Sequence, residues 1–191
     1  LAYLVVITAS SVWLGRRVLH RDPRQYGDGN PGGTNVIRAG NRGLGALVIF
    51  LDMLKGAIPV ALAHYVFQVD GWPLLPVIVA PILGHAFSPF LRFRGGKAVA
   101  VTFGAWSSLT VPFGPFAMAL PLLAINNVQG NSGWSVMAAW LVWLVFLLLT
   151  GATGPLLGAW AATLLILAWT HRADLHHAPR LRSARGHREG V

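Results

Sequence analysis

The chain has 191 residues, of which 54% are hydrophobic and 11% are charged, and its formal net charge is +9. Residues 98–171 contain no Asp, Glu, Lys or Arg, and a water-soluble domain could not cover its surface with such a stretch. The composition therefore excludes an ordinary soluble protein. The apolar runs are continuous rather than alternating, which argues against a membrane β-barrel. These residues include no cysteine, so they form neither a disulfide nor a thiolate metal site.

Five apolar runs, at 1–14, 44–67, 72–90, 134–150 and 152–170, are candidate transmembrane helices by length and composition. The stretch 98–126 is long for one helix and short for two. Its VPFGP sequence at 111–115 predicts a break, because proline removes a backbone donor and clashes with the preceding turn. We interpret 98–126 as two tilted helices, which gives seven transmembrane helices; a re-entrant loop, which gives five, is the alternative.

Basic residues are concentrated in three segments, at 16–42, 92–97 and 172–188. Such clusters mark the cytoplasmic side of membrane proteins, and we do not interpret them as a nucleic-acid site. We therefore expect an all-α polytopic membrane helix bundle with the N-terminus outside and the C-terminus cytoplasmic. Residues 1–175 form a single domain in this prediction, and 176–191 form a basic, partly disordered tail at the inner surface.

The loop GDGNPGGTNVIR at 27–38 is too polar and too rich in glycine for a spanning helix. Glycines allow successive backbone N–H groups to turn inward, and such nests bind anions. Arg38 offers a planar fork suited to phosphate, and Asn30, Thr34 and Asn35 add neutral donors. An ordinary interhelical loop with turn residues is the alternative interpretation.

A second polar segment, GHAFSPFLRFRGGKAVA at 84–100, precedes an apolar run. Gly95, Gly96 and Lys97 at the start of a helix favour an anion, through backbone donors and the helix dipole. The segment is not a Walker motif, since the spaced glycine and the following Ser or Thr are absent. His85 is either a packed interfacial residue or a member of the site.

A third polar segment, HRADLHH at 171–177, follows the last apolar run. If the helix continues, His171 and Asp174 share one side of it. Arg172 directly follows His171 in the sequence. Metal binding by the histidines and Asp174 is disfavoured because their spacing matches no standard zinc pattern, and we expect no metal and no cofactor.

Asp52 and Lys55 lie three residues apart inside an apolar run. Ionisable residues in a span are costly and are functional candidates by default, although a self-contained ion pair that only orients the helix is the alternative. No serine-hydrolase elbow and no zincin motif occurs in these 191 residues, so the segments suit phosphate binding better than covalent catalysis.

These three segments, with LDMLKGAIPV at 51–60, resemble the signature regions of the bacterial acylphosphate-dependent glycerol-3-phosphate acyltransferases, the PlsY family. The resemblance covers about residues 1–177. It implies a bundle of seven transmembrane helices in the bacterial inner membrane with its active site at the cytoplasmic face. It also implies transfer of a fatty acyl group from acyl phosphate to the sn-1 hydroxyl of glycerol 3-phosphate, giving lysophosphatidic acid and phosphate.

The resemblance also implies roles for particular residues and partners. We expect Asp28, Lys97 and His171 to be catalytic. The expected partners are the two substrates, membrane lipid and the enzyme that supplies acyl phosphate. The expected substrate-binding residues are Asn30, Thr34, Asn35, Arg38, Lys55, His85, Gly95, Gly96, Arg172 and Asp174.

Three departures from the family pattern fall inside the expected site. Asp28 stands where the family usually has serine, Ala98 where it has glycine, and Asp174 where it has asparagine. The usual ending of the third motif is not recognisable. Two added carboxylates would repel bound phosphates unless they pair with Arg38, Lys97 or Arg172 or are protonated. Asp28 could also act as a general base for the acceptor hydroxyl.

Two further readings of the chain stay open at this point. One is a diverged paralogue that acts on another phosphorylated acceptor or has lost activity. The other is a non-catalytic membrane protein that binds or transports a phosphorylated solute, although no inverted repeat is visible.

Overall fold

The computed structural model describes residues 10–182. The first long helix, Arg42–Ala61, continues into a π-helical turn at Leu62–Val66. Short 3-10 turns occur at Pro23–Gln25 and Pro89–Leu91. Within 10–182 the only β-pairing is a single bridge between Gln129 and Leu181. The α-helices are α1 (Ser10–Val18), α2 (Gly33–Arg38), α3 (Arg42–Ala61), α4 (Leu74–Ala86), α5 (Val99–Ser107), α6 (Gly114–Val128), α7 (Ser132–Leu149), α8 (Gly154–Thr170) and α9 (Arg172–Leu175).

Three helical segments of the described chain are long and apolar enough to cross a membrane: Arg42–Val66, Leu74–Leu91 and Ser132–Leu149. Helices α6 and α8 are apolar but shorter. The predicted break within 98–126 is present, since α5 and α6 are separate helices there. The predicted span 1–14 lies mostly outside the described residues. The all-helical prediction is confirmed for residues 10–182 apart from that single bridge.

Helices α3 and α5 cross at very short range because small residues line the crossing. A side chain at Gly56 would collide with the backbone of Val101, and one at Gly104 with the backbone of Met53. Small residues of this kind allow helix backbones to approach closely where no water-driven force holds the helices together. The crossing fixes the start of α5, and therefore Lys97, against α3.

The interior is built around tryptophans rather than around a polar channel. Trp106 is fully buried, and its ring centroid lies 5.8 Å from that of Trp140 and 5.9 Å from that of Trp143, both edge-to-face. Many apolar side chains are instead exposed on the outer surface, among them Phe50, Leu120 and Leu165. An apolar exterior around a packed interior is the arrangement expected of a bundle in lipid.

Candidate active site

The glycine loop between the first 3-10 turn and α2 is organised around the buried amide of Asn35. Its Nδ2 donates to Asp28 Oδ1 at 2.8 Å and to the carbonyl of Asn30 at 2.8 Å. Arg38 Nη1 donates to Asn35 Oδ1 at 3.0 Å. Gly27 has φ +59°, and a side chain there would collide with Arg38 and Asn35. The loop therefore needs glycine at 27, and Asn35, which is 2% exposed, supports the loop from inside.

Lys97 connects the glycine loop to α9. Its Nζ lies 2.7 Å from Asp28 Oδ2 and 2.7 Å from Asp174 Oδ2. Both carboxylates that depart from the family pattern, Asp28 and Asp174, therefore form their ion pairs with Lys97. Residues from the first and third polar segments thus meet on one ammonium group from the second.

The ion pairs shift the pKa values of the groups that form them. Burial raises the pKa of Asp28, but hydrogen bonds from Lys97 and Asn35 more than offset it and hold the pKa at about 2. Burial lowers the pKa of Lys97, and this is outweighed by its hydrogen bonds to Asp174 and Asp28, so the net shift is upward. At neutral pH Asp28 is therefore a carboxylate and Lys97 an ammonium.

Gly95 and Gly96 pack against the C-terminal end of α4. Their amides donate to the carbonyls of Ala86, at 3.0 Å, and His85, at 3.1 Å. Side chains at these positions would collide with that backbone and with the His85 ring. We expected these amides to approach a phosphate, but here both cap α4. The two glycines serve the site by allowing the loop to close tightly.

Ala98 holds an unusual conformation directly after Lys97. Its φ and ψ are 65° and 7°, which is the left-handed region that favours glycine, and its side chain is 1% exposed. This is the position where the resembling family has glycine. The chain thus keeps a glycine-like backbone at the start of α5 with an alanine in place, and Lys97 keeps its direction toward the two carboxylates.

His171 ends α8 and is almost completely buried, with 1% of its surface exposed. Its Nδ1 lies 2.9 Å from the carbonyl of Leu167, which can only accept, so Nδ1 carries the proton and Nε2 is the unprotonated nitrogen of the neutral ring. Burial is the main cause that lowers the pKa of His171, against the opposing hydrogen bond to Leu167. Thr170 next to it donates to the carbonyl of Lys97 at 3.1 Å, which ties α8 to the start of α5.

Asp174 is positioned by the start of α7, a contact that the sequence analysis missed. Ser132 Oγ donates to Asp174 Oδ2 at 3.2 Å, and Asn131 Nδ2 donates to the Asp174 carbonyl at 2.7 Å. Asn131 also caps α7, because its Oδ1 accepts from the amide of Gly133 at 2.9 Å. The NSG sequence predicts such a helix start, but nothing in it indicates Asp174 as a partner.

Asp52, Lys55 and His85 form a second polar cluster behind the glycine pair. Lys55 Nζ lies 2.8 Å from Asp52 Oδ1, and His85 Nδ1 lies 3.8 Å from the same oxygen. The side chains of Asp52 and Lys55 are 5% and 10% exposed. This cluster supports the turn at Gly95 and Gly96 from below, so Lys55 and His85 lie beside the site rather than at its surface.

A cavity of 2150 Å³ opens over Lys97, Asp28 and Asp174. Asn30, Gly95, Gly96 and Arg172 also line it, whereas the described lining does not include Thr34, Asn35, Arg38, Lys55, His85 or His171. Thr34 and Arg38 are exposed. The lining includes both apolar or aromatic side chains and arginines. The apolar or aromatic side chains include Val12, Leu51, Phe87, Phe90, Phe93 and Trp169, and the arginines include Arg16, Arg17, Arg24, Arg92, Arg94 and Arg172.

Arg172 lies across the face of Trp169, with its guanidinium carbon 4.7 Å from the ring centroid, and it donates to the Trp169 carbonyl at 2.8 Å. The site thus combines an ammonium between two carboxylates with guanidinium groups and apolar side chains in one cavity. Within residues 10–182 no group of three or more His, Cys, Asp or Glu side chains could hold a metal ion. This arrangement suits a ligand with an anionic head and a hydrocarbon tail.

The fold and the site are those of a membrane-type helix bundle with a polar, arginine-lined cavity, and comparison with known proteins identifies its class. The family model for glycerol-3-phosphate acyltransferase matches residues 1–179. The chain is 35% identical to a glycerol-3-phosphate acyltransferase of Thioalkalivibrio sulfidiphilus, over 94% of this chain and 87% of that one. It is also 35% identical to glycerol-3-phosphate acyltransferase 1 of Deinococcus radiodurans, over 92% of this chain and 87% of that one.

Solved structures give the same result. The glycerol 3-phosphate form of PlsY, an integral membrane glycerol 3-phosphate acyltransferase, superposes with a TM-score of 0.81 at 29% identity, covering 92% of this chain and 88% of that one. Its lysophosphatidic acid form superposes with a TM-score of 0.78 at the same identity and coverage. The chain belongs to the glycerol-3-phosphate acyltransferase family, and it is an acyltransferase of phospholipid biosynthesis.

Proposed function

We propose that this chain transfers a fatty acyl group from an acyl phosphate to the sn-1 hydroxyl of glycerol 3-phosphate, releasing lysophosphatidic acid and inorganic phosphate. The observation that carries the proposal is the meeting of all three polar segments at Lys97, in a cavity lined by both apolar side chains and arginines. In this proposal the acyl chain packs against the apolar side chains, and the two phosphates bind near the arginines.

The donor is already activated, so the reaction needs no protein nucleophile. The acceptor oxygen attacks the acyl carbonyl carbon, the bond from that carbon to the phosphate oxygen breaks, and the departing phosphate takes the hydroxyl proton. The protein has to hold the hydroxyl against the carbonyl and stabilise the charge that moves onto phosphate. Lys97 and the guanidinium groups at the cavity supply the positive charge that stabilises the departing phosphate.

Asp28 and His171 have positioning parts in this scheme. With a pKa of about 2, Asp28 is a poor base at neutral pH, so it accepts a hydrogen bond from the acceptor rather than removing its proton. His171 is neutral and its ring is oriented by the bond from Nδ1 to the Leu167 carbonyl one turn earlier, with Nε2 left as an acceptor. Asn30, which lines the cavity, completes the acceptor end of the site in this proposal, and Arg38 supports that loop from outside the cavity through Asn35.

We also propose that the chain lies in the bacterial cytoplasmic membrane with seven crossings and with this site at the cytoplasmic face. The support is the concentration of basic residues at the end of the bundle that carries the site, as the positive-inside rule requires. A location at that face gives a water-soluble acceptor, and the enzyme that makes acyl phosphate, direct access to the cavity.

The test is purified protein in lipid with acyl phosphate and glycerol 3-phosphate, measuring phosphate release and lysophosphatidic acid together. Both products should form in equal amounts and only when both substrates are present. Lys97→Gln should abolish transfer, because it removes the ammonium on which the three segments meet. Phosphate release from acyl phosphate without the acceptor, at an undiminished rate, would contradict the proposal.

A second acceptor is favoured by one observation, the two carboxylates on Lys97. They reduce the positive charge available to a phosphate and offer acceptors to hydroxyl groups, so a phosphorylated polyol with more hydroxyl groups is the competing substrate. Measuring kcat/KM for a series of polyol phosphates under the same conditions decides between them. A member of the series that exceeds glycerol 3-phosphate by more than about tenfold, about 1.4 kcal/mol in transition-state binding, would replace it as the acceptor.

A further inference from the structure

Three paired side chains of the site carry, among themselves, more negative than positive charge. The Lys97 ammonium lies between the carboxylates of Asp28 and Asp174, each at 2.7 Å, so the three groups together carry one net negative charge. Both carboxylates are fixed from behind, Asp28 by Asn35 and Asp174 by Ser132. These hydrogen bonds hold both carboxylates beside Lys97.

Further charged and titratable groups surround these three from every neighbouring segment. Several guanidinium groups line the same cavity, and Arg38 reaches the cluster through Asn35. Only the histidines among these groups ordinarily titrate between pH 6 and 8, and buried His171 has a lowered pKa. His176 and His177, which follow α9, are exposed. The remaining charged groups are Arg16 and Arg17 on α1, Asp22 and Arg24 before the glycine loop, Arg38 on α2, Arg92 and Arg94 before α5, and Arg172 on α9.

We propose that Asp28 and Asp174 are specificity-determining residues that select the singly charged form of the acceptor's phosphate over the doubly charged form. Repulsion by a carboxylate grows in proportion to the charge of the ligand, so a dianion loses twice as much as a monoanion at the same distance. Lys97 cannot offset this difference, because its charge is already shared between the two carboxylates. The inference rests on the proposed function and adds to it a preferred charge state of the acceptor.

The preference has a direct consequence for pH dependence. A phosphate monoester loses its second proton with a pKa of about 6, so the monoanion falls from about half of the total at pH 6 to about one hundredth at pH 8. The apparent KM for glycerol 3-phosphate should therefore rise steeply over this range. A sulfate monoester stays singly charged throughout, so the sulfate ester of glycerol separates titration of the ligand from titration of the protein.

The experiment measures KM for glycerol 3-phosphate and for the sulfate ester from pH 6 to pH 8, with protein in lipid and saturating acyl phosphate. We expect KM for the phosphate to rise at least about tenfold and KM for the sulfate to change by less than about twofold. At pH 8 the sulfate should be the better acceptor. Asp28→Asn with Asp174→Asn should remove most of the rise and lower KM for the phosphate at pH 8 by about tenfold.

Asp22→Asn is the matched control. Asp22 also lines the cavity, but it pairs with Arg16 at 2.8 Å and Arg24 at 2.7 Å rather than with Lys97. Its loss removes one carboxylate from the same cavity, and the pH profile should keep the shape of the parent. If this control flattened the profile as much as the double variant does, the general charge of the cavity would be responsible and the inference would be wrong.

The other outcomes also decide the question. A KM for the phosphate that stays constant from pH 6 to pH 8, or rejection of the sulfate ester while the phosphate is accepted at pH 8, would overturn the inference and leave the proposed function standing. No transfer to either ester at any pH would overturn the proposed function, and the inference with it. Should the double variant fail to fold, the comparison of the two esters on the parent protein still gives the answer.

Discussion

Asn35 shows how a single residue can matter to a site without touching the ligand. Its amide holds Asp28 and the carbonyl of Asn30 on one side and Arg38 on the other, while remaining buried. The sequence marks it as a polar loop residue, and polar loop residues near glycines suggest ligand contacts. Whether such an amide faces the cavity or the loop interior depends on backbone turns that local sequence does not determine, which is why its direction could not be predicted.

The acid stability of the protein should depend on Asp28. Its pKa in the folded protein is about 2, below the ordinary value of 3.8, so its stabilising contribution is present above about pH 4 and is lost as the pH falls through about 2. Because the side chain is 37% exposed, solvent screening keeps the contribution modest. Thermal unfolding in detergent should show Asp28→Asn less stable than the parent at pH 5 to 7. That difference should narrow toward pH 2, and a difference that did not vary with pH would contradict this origin.

Lys97, Asp28 and Asp174 were predictable as members of one site, because each falls in a polar segment that borders an apolar run. Their mutual pairing was one of several alternatives, since the sequence does not say whether Arg38, Lys97 or Arg172 lies within reach of each carboxylate. The roles of Gly95 and Gly96 were predicted less well. The sequence indicates a tight approach at a helix start, but only the fold shows that their amides bond to the end of α4.

Among the helices, the crossing of α3 and α5 is the contact that sets the position of the site. The length of the apolar runs predicts that both helices exist, and the predicted span 44–67 agrees with α3 together with its π-helical turn, which ends at Val66. It does not predict which helices touch, because a helix that is apolar on all sides has no face that identifies its neighbour. Gly56 and Gly104 are the signal that could have indicated the crossing, since small residues mark close approach in membrane bundles.

Gly104→Ala should destabilise the protein and reduce activity, because the added methyl group collides with the backbone of Met53 and forces α5 away from α3. Overpacking of this kind costs about 1–3 kcal/mol. Gly43→Ala is the control: the site for its methyl group is open, with the nearest atom 3.6 Å away, and alanine should stabilise α3 by up to about 1 kcal/mol. Thermal unfolding and kcat on both variants provide the measurement. Equal midpoints for the two would show that the crossing tolerates a side chain.

For the whole molecule, the arrangement of charge along the chain predicts the membrane orientation. The turn at 68–73 has no basic residue, whereas the opposite end of the bundle collects the arginines and Lys97. The number of crossings is harder to predict, because α5 and α6 are short and residues 1–9 lie outside the described part. Length and hydropathy show that the long helices can cross the membrane, but they do not show whether the short helices do.

Orientation can be tested directly because the chain has no cysteine of its own. Asp70→Cys places one thiol on the turn before α4, where the aspartate side chain is 63% exposed, and His176→Cys places one after α9, where the chain is also exposed. A membrane-impermeant thiol reagent should label the first in intact cells and the second only after the membrane is opened. The reverse pattern would place the active site outside the cell and would contradict the proposed location.

The segment after α9 is bound to the rest of the protein largely by main-chain atoms. The amide of Gly130 donates to the Arg180 carbonyl at 2.8 Å, and the amide of Arg182 donates to the Val128 carbonyl at 2.7 Å. Bonds of this type do not depend on side-chain identity, so residues 178–182 are open to sequence drift as long as the peptide itself remains. Deleting residues in this region would have a different effect from substituting them. A deletion would release residues 178–182 from the end of α6 and the residues that follow it, and these contacts keep α9, and with it Asp174, beside the cavity.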